Sequence, residues 1–390
     1  MSELLSPPDE AGLAAAIAAA HAAREPIAIE GNGSKRGLLR PVQAARTVST
    51  RNLSGITLYS PAELVLSARA GTPIPEIEAA LAEKGQHLIA EPPDTRAIFG
   101  TDEPATLGGI VAANLSGPRR VAWGAMRDHV LGIRFVNGAG EVMRSGGRVL
   151  KNVTGLDLCK LLAGSYGTLG VMTEITLKVL PAPEATGTLL IAVADAEMGV
   201  RALSAGLGSP FGVSGAALLP GEPMMAALRI EDFAPSVTYR LARLREALAS
   251  FGNNTVLDGD AARAFWREVR DVRPLGAAAE EAVWRISVRP SAGPAVARAA
   301  EALGGRAMLD WGGGLVWVAA PAQASAHETL AAAAAASGGT CTLFHGPEAL
   351  RRTVAVLPQE PPALAMIARR VKAVLDPAGI LNPGRMRAGG

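Results

Sequence analysis

Three glycine-rich stretches stand where backbone amides can hold an anion. They are Gly31, Asn32, Gly33, Ser34 and Lys35; Thr106, Leu107, Gly108 and Gly109, with Ser116 and Gly117 beyond; and Gly164, Gly167, Thr168, Gly170 and Val171. Glycine lets the chain turn tightly and bares its N–H groups, which suits a negatively charged ligand. One such loop alone is an ordinary turn. Three of them, each beside a strand or helix end, can surround one extended ligand. A pyrophosphate flanked by a ribityl chain and an adenosine needs a cradle of that kind. The N–H groups of Gly31 to Lys35 would meet the pyrophosphate, and a helix start near Thr106 to Gly109 would add donors and a favourable dipole.

Two compact phosphate motifs do not fit. The dinucleotide fingerprint G-x-G-x-x-G has Arg36 in place of its third glycine, Pro41 interrupts the following segment, and no acid lies about twenty residues on to hold a ribose. The Walker A pattern needs Gly-Lys-Ser/Thr, whereas the loop has Ser34-Lys35-Arg36.

Metal chemistry has little to stand on. The histidines are His21, His87, His129, His327 and His345, and none is paired at metal-ligand spacing. His87 and His129 read as surface or packing residues. Cys159 and Cys341 read as reduced thiols of a cytoplasmic protein, and two cysteines cannot hold a four-cysteine cluster. Arg119-Arg120 reads as either a phosphate contact or a solvated pair. Trp123, Trp266, Trp284, Trp311 and Trp317 read as core or subunit-interface anchors.

The elements that must position the loops follow from pattern and composition. The 390 residues suffice for two or three domains. With 38 basic and 36 acidic residues the net charge is +2, which leaves no footprint for nucleic acid or a polybasic membrane anchor. The mean hydropathy of +0.22 comes largely from alanine. The start "MSELLSPPDE" has no basic, apolar signal pattern, and "AGLAAAIAAAHAA" falls short of the about 20 residues that cross a bilayer. The expectation is a cytoplasmic location with membrane contact at most peripheral. That alanine-rich stretch predicts a helix capped by Ser6 or Asp9. "PIAIEG", "GITLY" and "LVLSARAG" predict strands, "TPIPEIEAALAEKG" a helix, and "ATLGGIVAANLSG" a turn and short helix. "RFV" and "EVMR" flank an Asn137-Gly138 turn signal and predict a hairpin. "GVMTEITLKVL" predicts a long strand. The Pro-rich joint "PAPEATG" marks a domain boundary. Beyond it, strands such as "AVWRISVRP" and "GLVWVAAP" alternate with helices such as "GDAARAFWREVRD", which predicts an α+β domain with an antiparallel sheet.

Taken together, "IEGNGSKRGLLR", "EPPD", "ATLGGIVAANLSGPRR", "RDHVLGIRFVNGAGEVMRSGGRVLKNVTGLDLCKLLAGSYGTLGVMTEITLKVLP" and "LDPAGILNPGRM" resemble the FAD-binding proteins of the vanillyl-alcohol oxidase type, and more closely the E-subunit family of bacterial glycolate oxidase. The resemblance covers nearly the whole chain. It implies an α+β fold: a PCMH-type two-part FAD-binding domain over 1–182, an α+β cap domain over 188–370, and a C-terminal segment, 371–390, returning to the first. It implies FAD contacts from all three loops and from Pro92. Val171 stands where relatives bind through main-chain atoms. Lys151, Asn152, Gly155 and Asp157 of "KNVTGLD" would pack near the flavin, although Leu156 replaces a usual Tyr. The first loop offers Lys35 and no histidine for covalent attachment, so FAD is expected to be non-covalent.

Relatives that oxidise D-2-hydroxy acids carry H-x-G-D-G-N-x-H in the second domain, and this chain does not. The resemblance therefore implies an electron-transfer subunit of a multi-subunit glycolate oxidase, with no catalytic or metal-binding residues of its own. Its partners would be a homologous catalytic FAD subunit and an iron–sulfur subunit. A stand-alone flavin-dependent alcohol or hydroxy-acid oxidoreductase and a non-catalytic scaffold remain the alternatives.

Overall fold

A computed structural model describes residues 3–148 and 156–389. They form two compact units: Met1–Leu115, Ala125–Ala182 and Gln359–Gly390 in the first, Ser116–Gly124 and Pro183–Pro358 in the second.

The first unit holds two main sheets. A parallel sheet has the strand order Glu3–Leu5, Arg46–Ser49, Ile27–Glu30. The helix Glu10–Ala23 begins where Asp9 accepts the Gly12 N–H at 2.7 Å and ends at Arg24 in the left-handed region. It buries Leu13, Ile17 and Ala20, one stripe at spacings of four and three. That stripe packs with Ile27, Val48, Val136, Val171, Ile380 and Leu381, so the core joins the N-terminus, both sheets and the C-terminal tail.

The other sheet is antiparallel, in the order Ile56–Ser60, Val65–Arg69, Val171–Lys178, Val130–Val136, Val142–Gly146. The last two strands form the expected hairpin. Asn137 Oδ1 accepts the N–H groups of Ala139 and Glu141 at 3.0 and 2.9 Å and so shapes its turn.

In the second unit eight strands form one sheet whose pairings are all antiparallel. The helix Gly259–Arg270 buries Ala262, Trp266 and Val269, and the Trp266 indole donates to Thr188 Oγ1 at 2.8 Å.

The division departs from the sequence expectation twice. The stretch Ser116–Gly124, read as part of the first domain, packs in the second unit. There Arg119 forks onto Glu231 at 2.7 and 3.0 Å, and the Trp311 indole donates to Gly117 O at 3.1 Å. Arg120 stacks 4.4 Å from the Trp311 ring centroid. The helix Pro362–Leu375, read largely as the end of the second domain, falls in the first unit. Both departures rest on partners too distant in sequence for local pattern to reveal.

Candidate functional site

The first loop leaves the strand Ile27–Glu30, and its shape depends on Gly31. A Cβ there would lie 2.2 Å from Thr106 Oγ1, so only glycine fits. Gly33 has φ +76°. Ser49 Oγ donates to Gly31 O at 2.7 Å, and Asn32 Nδ2 donates to Pro104 O at 3.1 Å. Among the described residues no acceptor takes the backbone N–H groups of Gly31 to Lys35. Five consecutive donors are thus left for a ligand or solvent.

Lys35 adds charge to the same loop. Among the described residues its Nζ meets Ser34 Oγ at 3.3 Å and no carboxylate within ion-pair distance. Burial pushes its ammonium down to about 8, with Asp94 opposing and Arg385 adding to the fall. A desolvated cation with no carboxylate at ion-pair distance, beside bare amides, offers charge and donors that an anion can meet.

The second loop abuts the first. A Cβ on Gly109 would stand 3.3 Å from Lys35 Nζ. The helix Leu107–Ala113 has seven residues, and its first N–H groups are already used. Leu107 N donates to Thr72 O, Gly108 N to Ala70 O, and Gly109 N to Thr106 Oγ1, at 2.9, 2.7 and 3.3 Å. The expected extra donors from this helix start are therefore corrected: its own cap and the neighbouring turn consume them. The glycines serve close approach instead, since a Cβ on Gly108 would meet Ala70 at 2.9 Å.

The third loop sits on that helix. Gly164 N donates to Val111 O at 3.1 Å, and Tyr166 N to Ala112 O at 2.9 Å. Gly164 and Gly167 take positive φ, and Thr168 Oγ1 donates to Ser165 O at 2.7 Å. Ser165 Oγ is buried and has no hydrogen-bond partner among the described residues, a polar atom left for something else to satisfy. Gly170 makes room for Phe135, 2.6 Å from where its Cβ would lie, and Val171 is a core residue paired with Val136.

The tail supplies residues that the sequence reading missed. Asn382 Oδ1 accepts the Ile29 N–H at 2.8 Å, and its Nδ2 donates to Tyr166 O at 2.9 Å, so one buried side chain ties the strand Ile27–Glu30 to the third loop. Arg385 donates to the carbonyls of Lys35, Arg36 and Arg40 at 3.1, 3.4 and 3.2 Å. Lys372 donates to Thr168 O at 2.7 Å and pairs with the buried Asp376 at 2.6 Å. The motif "LDPAGILNPGRM" carries the family resemblance, but nothing in it names its distant partners. Asn382→Ala strands a part-buried donor and a part-buried acceptor, which costs about 2 kcal/mol. We expect a lower melting temperature and weaker flavin retention, both read on the purified chain.

The remaining expected residues divide. Pro92 is buried in the loop after the strand Gln86–His87. Ser116 and Gly117 belong to the second unit. Arg119 is neither a phosphate contact nor a solvated residue but half of a buried ion pair. Lys151, Asn152 and Gly155 lie outside the described residues. Asp157 caps the helix Leu158–Leu162, and Leu156 is exposed. Trp266, Trp284 and Trp317 are buried, whereas Trp123 is exposed. The Trp284 indole donates to His327 Nδ1 at 3.2 Å, a packing role, and burial pushes that imidazole down. Among the described residues no three His, Cys, Asp or Glu side chains gather as a metal site would require.

Residues 2–146 match the family model of the FAD binding domain, and residues 318–386 match that of the C-terminal domain of FAD linked oxidases. Glycolate oxidase subunit GlcE of Escherichia coli K12 is 37% identical over 365 residues, covering 94% of this chain and 93% of that protein. The chain belongs to the GlcE family. Glycolate oxidase subunit GlcD of Bacillus subtilis is more distant: 32% identical over 168 residues, 43% of this chain and 34% of GlcD. The solved structure of p-cresol methylhydroxylase matches 98% of the GlcE-family chain and 88% of its own, with TM-score 0.74 and 12% identity, a likeness of fold. The first unit is thus an FAD-binding domain of the PCMH type. No helix among the described residues is long and apolar enough to cross a membrane.

Proposed function

We propose that this GlcE-family chain is the FAD-binding, electron-transfer subunit of a multi-subunit oxidase acting on glycolate or a related D-2-hydroxy acid. A homologous FAD subunit carries the hydroxy-acid chemistry, and an iron–sulfur subunit takes the electrons onward. The observation that carries the reading is the near full-length identity to a glycolate oxidase subunit. FAD, when bound, accepts an electron pair and releases electrons to a partner.

The residues present fit that cofactor. The bare amides of Gly31 to Lys35 and the desolvated Lys35 ammonium suit its pyrophosphate. Thr106, Leu107, Gly108 and Gly109 shape the adjoining wall, and Gly164, Gly167 and Thr168 follow, with the buried Ser165 hydroxyl still without a partner in the same loop. Gly170 and Val171 support the loop through packing. Attachment is non-covalent, for the first loop has no histidine. Membrane contact, if made, is peripheral.

Two measurements test this. Acid precipitation should leave the flavin in the supernatant; flavin retained in the pellet would overturn non-covalent attachment. Co-expression with a GlcD-type subunit and an iron–sulfur subunit should give one complex that oxidises glycolate, whereas three separate elution peaks would overturn the subunit assignment.

The ammonium adds a pH signature. With Lys35 at about 8 in the flavin-free protein, raising the pH from 7 to 9 discharges it. FAD affinity should then fall by about tenfold over that interval. Lys35→Met should bind FAD more weakly and show a flat profile; a wild-type profile in that variant would remove Lys35 from the site.

A further inference from the structure

The helix Pro362–Leu375 is amphipathic, yet only Leu375 is buried. Leu364, Ile367 and Val374 are 56%, 53% and 77% exposed. With the half-buried Val371 they recur at spacings of three, four and three, the a/d spacing of a coiled-coil seam over one and a half heptads. Arg370 lies beside the seam at a g position. The segment contains no acidic residue. Lys372 is occupied on the protein side by Thr168 O, Leu381 O and Asp376.

We propose that this helix is a docking seam for an amphipathic helix of another subunit, one whose apolar stripe is edged by carboxylates. The proposal rests on the subunit reading above. The repeat favours a helix over lipid, because knobs-into-holes packing needs that register and a bilayer does not. The helix also carries no Phe, Trp or Tyr, the aromatic anchors of an interfacial membrane helix, and Lys372, one of its three cations, is turned to the protein rather than outward. A second copy is a poor match. An antiparallel pair would set Arg370 against Arg370, and a parallel pair would set it against Ala368 or Leu375. A carboxylate on a different chain answers that charge.

The helix also leads directly into the tail that holds the loops. Its Lys372 touches the third loop, and Asp376, Asn382 and Arg385 follow within the next turns of chain. A partner seated here therefore lies beside the elements that shape the candidate cofactor site.

The test compares the wild-type chain, Ile367→Glu/Val374→Glu and Arg370→Glu, each co-expressed with the GlcD-type and iron–sulfur subunits. The substituted positions are exposed, so each variant should keep the flavin spectrum and melting profile of the isolated chain. The double variant should weaken co-elution by about 30-fold or more, the scale of losing central anchors. Arg370→Glu should weaken it less, and more so at low salt. Wild-type co-elution in the double variant would overturn the seam. If the wild-type chain itself elutes alone, the subunit reading falls and the seam with it. Wild-type flotation with anionic phosphatidylglycerol vesicles, lost in the double variant, would assign the face to lipid and overturn the proposal.

Discussion

Gly31→Val is expected to yield a folded chain that purifies without flavin. A Cβ at this position would stand 2.2 Å from Thr106 Oγ1 and 2.9 Å from Thr106 Cγ2. Neither atom is the tip of a long, flexible side chain, and Thr106 also caps the helix Leu107–Ala113. The first loop must move to relieve the clash. Overpacking of this kind costs about 1–3 kcal/mol. The larger expected loss is functional, because the five amides proposed to meet the pyrophosphate are displaced together. We expect FAD affinity to fall by about a hundredfold or more, the equivalent of about 3 kcal/mol. The ratio of flavin to protein absorbance reads this directly, and thermal melting separates cofactor loss from unfolding. Full flavin content in the variant would show that the first loop does not hold the pyrophosphate.

Glu231→Gln is expected to cause the largest loss of stability in the second unit. The carboxylate meets Arg119 at 2.7 Å, Arg229 at 3.3 Å and the Ser214 hydroxyl at 2.8 Å. Arg229 is almost fully buried and stacks 4.5 Å from the Trp266 ring centroid. Burial alone would push the Glu231 carboxyl up, but Arg229 and Arg119 beside it hold it down at about 2. Removing the charge leaves two guanidinium groups without their counterion, at a cost of about 3–5 kcal/mol. The wild-type pH dependence carries the same information. A carboxyl lowered on folding contributes stability above its unfolded value of 4.5, and that contribution is lost as the pH falls toward about 2. The loss amounts to about 3 kcal/mol at one pH unit per 1.36 kcal/mol. Urea unfolding of wild type and variant at pH 7 and pH 3 tests it: the gap between them should narrow at the lower pH. Because Arg119 lies in Ser116–Gly124, the variant should also be cut faster by protease in that stretch. An unchanged midpoint at pH 7 would contradict the account.

Much of the fold is legible in the sequence, for local reasons. The Asp9 cap, the alanine-rich first helix, the Asn137 turn and the long strand from Val171 all declare themselves through neighbouring residues. The Trp266 stripe of Gly259–Arg270 is readable from its spacing. The glycine loops are visible too, and Gly31, Gly33 and Lys35 stand together as their pattern suggests. What escapes is long-range. Nothing near Asn382 announces its bonds to Ile29 and Tyr166, and nothing near Arg119 announces Glu231. The helix start at Thr106 misleads for the opposite reason. Its pattern is that of an anion-binding terminus, yet Thr72, Ala70 and its own cap take the amides. Only pairing partners, not composition, decide whether such donors are available.

The central claim is that this chain holds FAD as a relay and leaves hydroxy-acid oxidation to a partner. The most direct test is the visible spectrum of the purified chain, with its flavin bound, during an anaerobic titration with glycolate. The account predicts an oxidised flavin spectrum that glycolate does not bleach until the GlcD-type subunit is added. Bleaching of the flavin by glycolate in the isolated chain would contradict it and place a substrate site within this chain.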